Sequence, residues 1–424
     1  MHNRIKTAMG ARGLTDLELA EELKASLTDI NRAYKKALLI PPDHTRVHSG
    51  AGGITNIYYQ LLKDTCEVYV LPALGTHVAM TQDECARMFG DIPYERFIVH
   101  NWREDVVKLG EVPEDFVTDI SEGALCQPVD ININKHLVDP SYDLILSIGQ
   151  VVPHEVVGMA NYTKNLLVGC GGSAIINASH IMGALYGMER LMGKDFSPVR
   201  KLFDYAEEHF LQELPLYYVL TVTTAYMDEV FIHGLYIGRS RSLFEQAVAL
   251  SQQKNLVFTD TPFEKVVVYL DPEEFKSTWL GNKAIYRTRM AIADGGELLI
   301  LAPGVQRFGE DADIDKLIRS YGYTGRKNII AKCEASDDLQ KNISAAAHLI
   351  HGSSDGRFGV TYCTNHLTQE EIEGAGFKYM SYDEASGIYD PTNLKEGFNT
   401  MPDGERIFFI SNPALGLWVD RSKF

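Results

Sequence analysis

The chain reads as two α/β domains, the N-terminal one built on a mostly parallel, doubly wound sheet, and three observations predict this. Short apolar runs alternate with helical spacing through about the first 250 residues, the pattern of strand–helix–strand units. At Gln252-Gln253-Lys254-Asn255 the polarity rises, and Lys265-Val266-Val267-Val268-Tyr269-Leu270 then opens a second α/β unit. The 424 residues exceed the length at which one core keeps growing. The expected domains are residues 1–255 and 256–424, with a ligand site in the cleft between them and the last residues free to pack back on the first domain.

Taken in order, Lys36-Ala37-Leu38-Leu39-Ile40 is a strand stopped by Pro41-Pro42, with Asp43-His44-Thr45-Arg46 beyond it. A second strand, Cys66-Glu67-Val68-Tyr69-Val70-Leu71, opens into Pro72-Ala73-Leu74-Gly75-Thr76-His77. Thr81-Gln82-Asp83-Glu84 is a capping box that starts a helix. A third strand, Tyr142 to Gly149, leads to Pro153-His154-Glu155 and on to Lys164. Helices are expected at 175–191, 199–213 and 242–253. In the second unit, a helix at 284–292 ends at Asp294-Gly295-Gly296, where glycine suits a left-handed cap, and a strand at 297–302 follows. Later come an element at 327–333, a helix around 339–350, and strands at 358–363 and 406–411. An apolar tail, Leu415-Gly416-Leu417-Trp418-Val419, must find a packing partner.

In parallel sheets, ligands collect outside the carboxyl ends of the strands. Three strand ends here supply Arg46, His77 and His154, which converge if the strands are neighbours. Ten residues after His154 comes Lys164, and Gly169-Cys170-Gly171-Gly172 then lets the backbone approach a ligand before a helix carries His180. This reads as a site built around one lysine and several histidines.

Each residue also has a bland reading. Most of the 13 histidines are surface or satisfied core residues. His180 could be a buried pair with Ser179, His44 only shapes its turn, and His100 packs at a strand end. Asp43 could orient Arg46, contact a cofactor, or cap a helix beginning near Ser49. Lys283 could be an exposed helix lysine, and Cys170 a small packing residue.

Composition narrows the class. A net charge of -17 argues against nucleic acid as a partner. No apolar run reaches the ~18 residues of a membrane helix, and Met1-His2-Asn3-Arg4 begins no signal peptide, so a cytoplasmic location away from membranes is expected. The six cysteines show neither a CxxC pair nor ligand spacing. No GxGxxG follows a strand, and GxxxxGK[ST], HExxH and GxSxG are absent.

DHTR at 43–46, ALGTH at 73–77, HNWR at 100–103, DLILSIG-x-VVPH at 143–154, Lys164 and His180 together resemble the lactate racemases that use a nickel-pincer nucleotide. Leu280-Gly281-Asn282-Lys283, ahead of Ala293-Asp294-Gly295-Gly296, is a weaker match. The resemblance implies a racemase or epimerase of a small-molecule 2-hydroxy acid. Its cofactor would be a pyridinium thioamide/thiocarboxylate mononucleotide tethered to Lys164, holding nickel with His180 as the protein's ligand. His77 and His154 would be the acid/base pair, Arg46, Lys283 and Trp279 would bind substrate, and Asp43 and Thr45 would contact the cofactor. The enzymes that make the cofactor become expected partners, and a homo-oligomer is compatible with the reading. Hydride removal suits such a reaction because a carbanion beside a carboxylate is poorly stabilised; one histidine takes the hydroxyl proton as the hydrogen on carbon leaves with its electron pair.

Departures from the family pattern bear on the substrate. Met159-Ala160-Asn161-Tyr162-Thr163 stands where lactate racemases carry small residues, and Trp279-Leu280 where they carry tyrosine and glutamine. No counterpart of the family's second-domain tryptophan is found. Polar groups at Asn161, Tyr162 and Thr163 would suit a longer sugar acid such as D-gluconate in place of lactate. Two other classes stay open: a zinc-dependent hydrolase or lyase with His77, His154 and His180 as ligands, and a sugar-acid sensor without catalysis.

Overall fold

The computed structural model describes residues 3–29, 34–226 and 229–424, so Met1 and His2 of the N-terminal stretch lie outside it. Its chain divides into two compact units, one of residues Met1–Tyr186 and Leu191–Asn255, the other of Gly187–Arg190 and Leu256–Phe424.

The first unit has ten strands: β1 (Arg4–Thr7), β2 (Lys36–Ile40), β3 (Glu67–Val70), β4 (Val106–Val112), β5 (Val129–Asn134), β6 (Leu144–Gln150), β7 (Pro153–His154), β8 (Gly158–Met159), β9 (Leu216–Tyr226) and β10 (Glu229–Gly238). Its helices are α1 (Asp16–Asp29), α2 (Ala51–Leu62), α3 (Gln82–Phe89), α4 (Glu114–Ile120), α5 (Thr163–Leu167), α6 (Ser173–Tyr186), α7 (Met188–Leu191, shared with the other unit), α8 (Pro198–Ala206) and α9 (Arg241–Asn255). The main sheet runs β1-β10-β9-β6-β2-β3. Its β3, β2, β6 and β9 are mutually parallel, and the hairpin β9–β10 and edge strand β1 are antiparallel.

A parallel strand covered on both faces must be apolar throughout, and β2 meets this: Leu38 and Ile40 enter one core, Ala37 and Leu39 the other. The first core takes Leu166 of α5, Ile175 of α6, Leu202 of α8 and Phe244 of α9. The second takes Leu23 of α1, Tyr58 of α2 and Phe89 of α3. Because β2 and β6 are central and buried on both faces, the loops at their carboxyl ends rest on a rigid base.

The second unit has its own sheet, β15-β14-β13-β12-β17-β16. It consists of β12 (Phe263–Tyr269), β13 (Ile292–Leu301), β14 (Gly359–Cys363), β15 (Lys378–Met380), β16 (Gly397–Thr400) and β17 (Arg406–Ile410), with only the β16–β17 pair antiparallel. Beside it, β11 (Leu256–Thr259) pairs in parallel with β18 (Leu417–Asp420). The apolar tail thus forms a strand of the second unit. Arg289 is buried between the carboxylates of Glu189, at 3.0 Å, and Asp355, at 3.5 Å.

Several element boundaries differ from the sequence reading for local reasons. The helix expected at 175–191 ends at Tyr186, because Gly187 takes φ 100°. The one expected at 199–213 stops as an α-helix at Ala206 and continues as a wider five-residue turn, Glu207–Leu211. The helix expected at 284–292 is α11 (Lys283–Thr288), which ends four residues earlier and is preceded by a short α10 (Thr278–Gly281). Asp294-Gly295-Gly296 lies inside β13: Gly295 has φ 82°, and the register against β12 slips there, so the glycines serve a strand irregularity and no helix cap. The element at 327–333 is helical. Among the described residues no helix is long and apolar enough to cross a membrane.

The glycine turn at 169–172 lies against protein. A Cβ on Gly169 would sit 2.6 Å from that of Ala73, and one on Gly171 would meet the Leu167 carbonyl oxygen. Gly171→Ala should therefore destabilise the first unit by about 3 kcal/mol through overpacking, measured by urea denaturation; a change within about 0.5 kcal/mol would show that the turn is not packed this way.

Candidate active site

Strand order sets the site. From β2 the chain crosses to β3 on one edge and later returns to place β6 on the other, so β2 and β6 flank a reversal of direction, where a crevice opens at the carboxyl ends. Asp43 follows β2, His77 follows β3, and His154 and Lys164 follow β6. The loops are tied together: the Ala73 N–H donates to the Pro41 carbonyl at 2.8 Å, and the Gly75 N–H to that of Gly169 at 2.8 Å.

Asp43 caps the 3₁₀ segment His44–Ser49, which is kinked at Arg46, and accepts from the Thr45 N–H at 3.1 Å and hydroxyl at 2.6 Å. Its other oxygen lies 2.5 Å from Nδ1 of His77. Burial disfavours the Asp43 charge, but the hydrogen bond and charge of His77, with the Thr45 hydroxyl and Arg46, outweigh it and hold the carboxyl at about 2. An ionised Asp43 can only accept, so Nδ1 of His77 carries its proton and Nε2 is left with a lone pair. The imidazole itself is half exposed, as a group that must meet a ligand requires.

His154 is set the other way. Its Nδ1 accepts the Val156 N–H at 3.1 Å, so the neutral ring carries its proton on Nε2. The ring is largely buried, and Glu155 lies 3.9 Å away.

Lys164, in the first turn of α5, is partly buried. Burial, joined by the charges of Arg46 and Arg200, lowers its ammonium to about 8 against the opposing pull of Glu155 and Asp43. His180 donates from Nδ1 to the Ile176 carbonyl at 2.6 Å, which fixes the tautomer and leaves Nε2 as a donor atom for a metal. Burial, with the Lys164 charge, keeps this ring below its ordinary range, although the Ile176 bond and Glu155 pull the other way. These mutual influences bring Asp43, Arg46, His77, His154, Glu155, Lys164 and His180 into one region of the first unit. Arg46 and Thr45 are exposed there.

Other residues singled out in the sequence have protein partners of their own. His100 donates to the Gly171 carbonyl at 3.1 Å and accepts from the Asn134 amide at 2.9 Å, holding the glycine turn from outside the site. His44 faces Glu84 at 3.6 Å. Cys170 is buried, and burial pushes its thiol up, which suits packing. Lys283 and Trp279 belong to the second unit. The Lys283 ammonium lies 3.8 Å from Glu274 and over the Phe275 ring, while Trp279 stacks at 4.2 Å on His348. Both ring nitrogens of His348 are engaged, by Tyr286 at 2.8 Å and Tyr323 at 2.9 Å.

Among the described residues no group of three or more His, Cys, Asp or Glu side chains is placed to hold a metal ion. Asn161, Tyr162 and Thr163 are buried and engaged with the protein itself. Tyr162 is buried against Tyr218 and Phe244 with its hydroxyl on the Arg239 carbonyl, Thr163 bonds Arg200, and Asn161 lies against Gly149. The Asp43–His77 bond and Arg200 are the site features that the sequence did not disclose, and neither has a linear spacing that could have shown it.

Residues 19–190 match the family model of the lactate racemase N-terminal domain. The lactate racemase of Thermoanaerobacterium thermosaccharolyticum is 23% identical over 293 residues, 65% of this chain, and the match spans only 62% of that relative's length. The family match thus covers residues 19–190, the stretch that carries the candidate site. Among solved structures, a protein from Thermotoga maritima superposes with a TM-score of 0.81 at 25% identity, over 97% of this chain and 99% of that one. The lactate racemase apoprotein from T. thermosaccharolyticum superposes with a TM-score of 0.68 at 17% identity, over 94% and 92%, a likeness of fold.

Asp43→Asn should weaken the fold by about 2 kcal/mol near pH 5, the value of its depressed ionisation. Because the folded carboxyl is lowered from its ordinary 3.8 to about 2, this stabilisation is complete above pH 4 and fades as pH falls toward 2. Denaturation curves of both proteins across that range check it; a gap that does not narrow would show that the charge is not what Asp43 contributes.

Proposed function

We propose that this chain is a racemase or epimerase that inverts C2 of a 2-hydroxy acid, working with a nickel-pincer nucleotide attached to Lys164. The observation that carries the reading is the opposite setting of two histidines in the loops after β3 and β6, the strands on either side of β2: in the neutral rings His77 offers a lone pair on Nε2, and His154 offers a proton there. Such a pair takes the hydroxyl proton on one side of the substrate and returns one on the other. Each turnover leaves the two rings with exchanged roles, which is what interconversion of two enantiomers requires.

The residues present fit the cofactor. Lys164 is a partly buried amine lowered toward neutrality, as covalent attachment needs, and His180 presents a single imidazole nitrogen with its tautomer fixed. A group that brings its own sulfur and carbon donors needs one protein ligand, in keeping with the lack of a three-residue cluster among the described residues. When bound, the group supplies a hydride acceptor for the hydrogen on C2. The exposed Arg46 guanidinium is suited to hold the substrate carboxylate through two parallel hydrogen bonds. Asp43 keeps His77 in the proton-accepting tautomer and, with Thr45, borders the cofactor. The proposal extends to a cytoplasmic protein loaded by the enzymes that make the cofactor.

With Asn161, Tyr162 and Thr163 turned into the protein, a sugar acid has lost its main support over a short acid. D-gluconate and lactate are therefore assayed side by side. Substrate deuterated at C2 should give inverted product that retains deuterium, with a primary isotope effect, and His77→Gln and His154→Gln should each lower the rate by ~10²- to 10⁴-fold. Complete exchange of the label with water would mean proton abstraction and would remove both histidines as hydroxyl bases.

A further inference from the structure

Lys164 is preceded by two consecutive non-glycine residues in the left-handed region, Asn161 at φ 66° and Tyr162 at φ 57°. Such a backbone conformation is strained for a residue with a side chain and persists only where its surroundings over-determine it. Part of the restraint is visible nearby. The Asn161 side chain accepts from the Tyr162 N–H at 2.7 Å, and Asn165 anchors α5 by donating to the Ile40 carbonyl and the Ser147 hydroxyl, both at 3.0 Å.

The rest comes from Arg200. It is 1% exposed, the largest fully buried side chain among the described residues. Buried charges are normally paired with opposite charge, yet the two acids whose fields reach Arg200, Asp195 and Asp204, are themselves bound to Arg241, at 3.3 and 3.0 Å. Arg200 instead spends its donors on the segment ahead of Lys164: the Thr163 hydroxyl at 2.8 Å, the Met159 carbonyl at 2.7 Å and the Asn161 carbonyl at 3.4 Å. Its guanidinium stacks 4.5 Å over Phe244, the ring that also packs on Tyr162. The start of its own helix is fixed to the same segment, since Ser197 caps α8 and donates to the Val157 carbonyl at 3.1 Å.

We propose that Arg200 is a positioning residue for Lys164, its buried guanidinium fork holding residues 159–163 in the left-handed turn that aims α5 and presents the lysine at the carboxyl end of β6. The two separated terminal nitrogens are essential, because one reaches the Thr163 hydroxyl and the other the two carbonyls, whereas an ammonium offers all its donors from a single point. The use made of the presented amine rests on the proposed cofactor attachment; the holding of the turn does not.

Hydrogen exchange on the protein without cofactor tests it directly. In Arg200→Lys, which keeps the charge and loses the fork, exchange of the 161–169 amides should rise about tenfold or more while the β9–β10 hairpin is unchanged. Thr163→Val removes one of the three acceptors at constant volume and should give a smaller rise in the same peptides; it decides the matter should the arginine variant not fold. After co-production with the cofactor-making enzymes, adduct per folded molecule should fall in the same order, a readout that a purely structural arginine would leave unmoved. Wild-type exchange at 161–169 in both variants, or a rise spread evenly over the first unit, would overturn the proposal. A wild-type protein without adduct would defeat the cofactor reading and leave the exchange result standing.

Discussion

Because β2 is hydrogen bonded to β3 along one edge and to β6 along the other, the three loops that leave their carboxyl ends emerge side by side. Everything at the site depends on that adjacency. Asp43 and His77 are 34 residues apart in sequence and meet only because their loops start on neighbouring strands. The parallel pairing is affordable since β2 and β6 are buried on both faces, each alternate side chain feeding a separate core. A rigid base of this kind lets the loops carry exposed and strained groups without losing their positions.

The site's electrostatics follow from the same geometry. A single buried carboxylate, Asp43, is held ionised by the groups around it and dictates where His77 keeps its proton. The Val156 backbone N–H does the converse for His154, and the Ile176 carbonyl fixes His180. Three imidazoles thus receive three fixed orientations from three different partners, one charged and two of them backbone. Around Lys164 the positive neighbours and burial act together, and Asp43 and Glu155 moderate them. The strain at Asn161 and Tyr162 is confined to the four residues that lead into this lysine, where positional accuracy repays its cost.

Much of this was legible in the sequence, for reasons that can be stated residue by residue. The runs at Lys36–Ile40 and Leu144–Gln150 are mostly apolar, as strands buried on both faces must be, and Glu67–Val70 alternates as an edge strand does. The capping box at Thr81 is a local signal and forms as read. The family resemblance rested on motifs spaced through the first 190 residues, and the family model covers 19–190. What stayed hidden depends on contacts distant in sequence or on context that reverses a local signal. Gly295 was rightly read as left-handed, but tertiary pairing makes it part of a strand. Asn161, Tyr162 and Thr163 were read as polar groups offered to a ligand, because nothing in the sequence shows that Arg200, Arg239 and Gly149 lie behind them. The hairpin Leu216–Tyr226 with Glu229–Gly238 carried a β-branched and aromatic signal in Tyr217 to Thr224 that was left unassigned.

The account turns on Lys164 as the point of covalent attachment, with His180 as the protein's contribution to the metal. Intact mass and metal analysis of protein produced together with the cofactor-making enzymes tests this most directly. The account predicts one adduct of nucleotide mass, mapped by peptide analysis to Lys164, with nickel bound, both absent from folded Lys164→Ala. An unmodified Lys164 in fully folded protein, an adduct that survives Lys164→Ala, or tightly bound zinc without any adduct would contradict it.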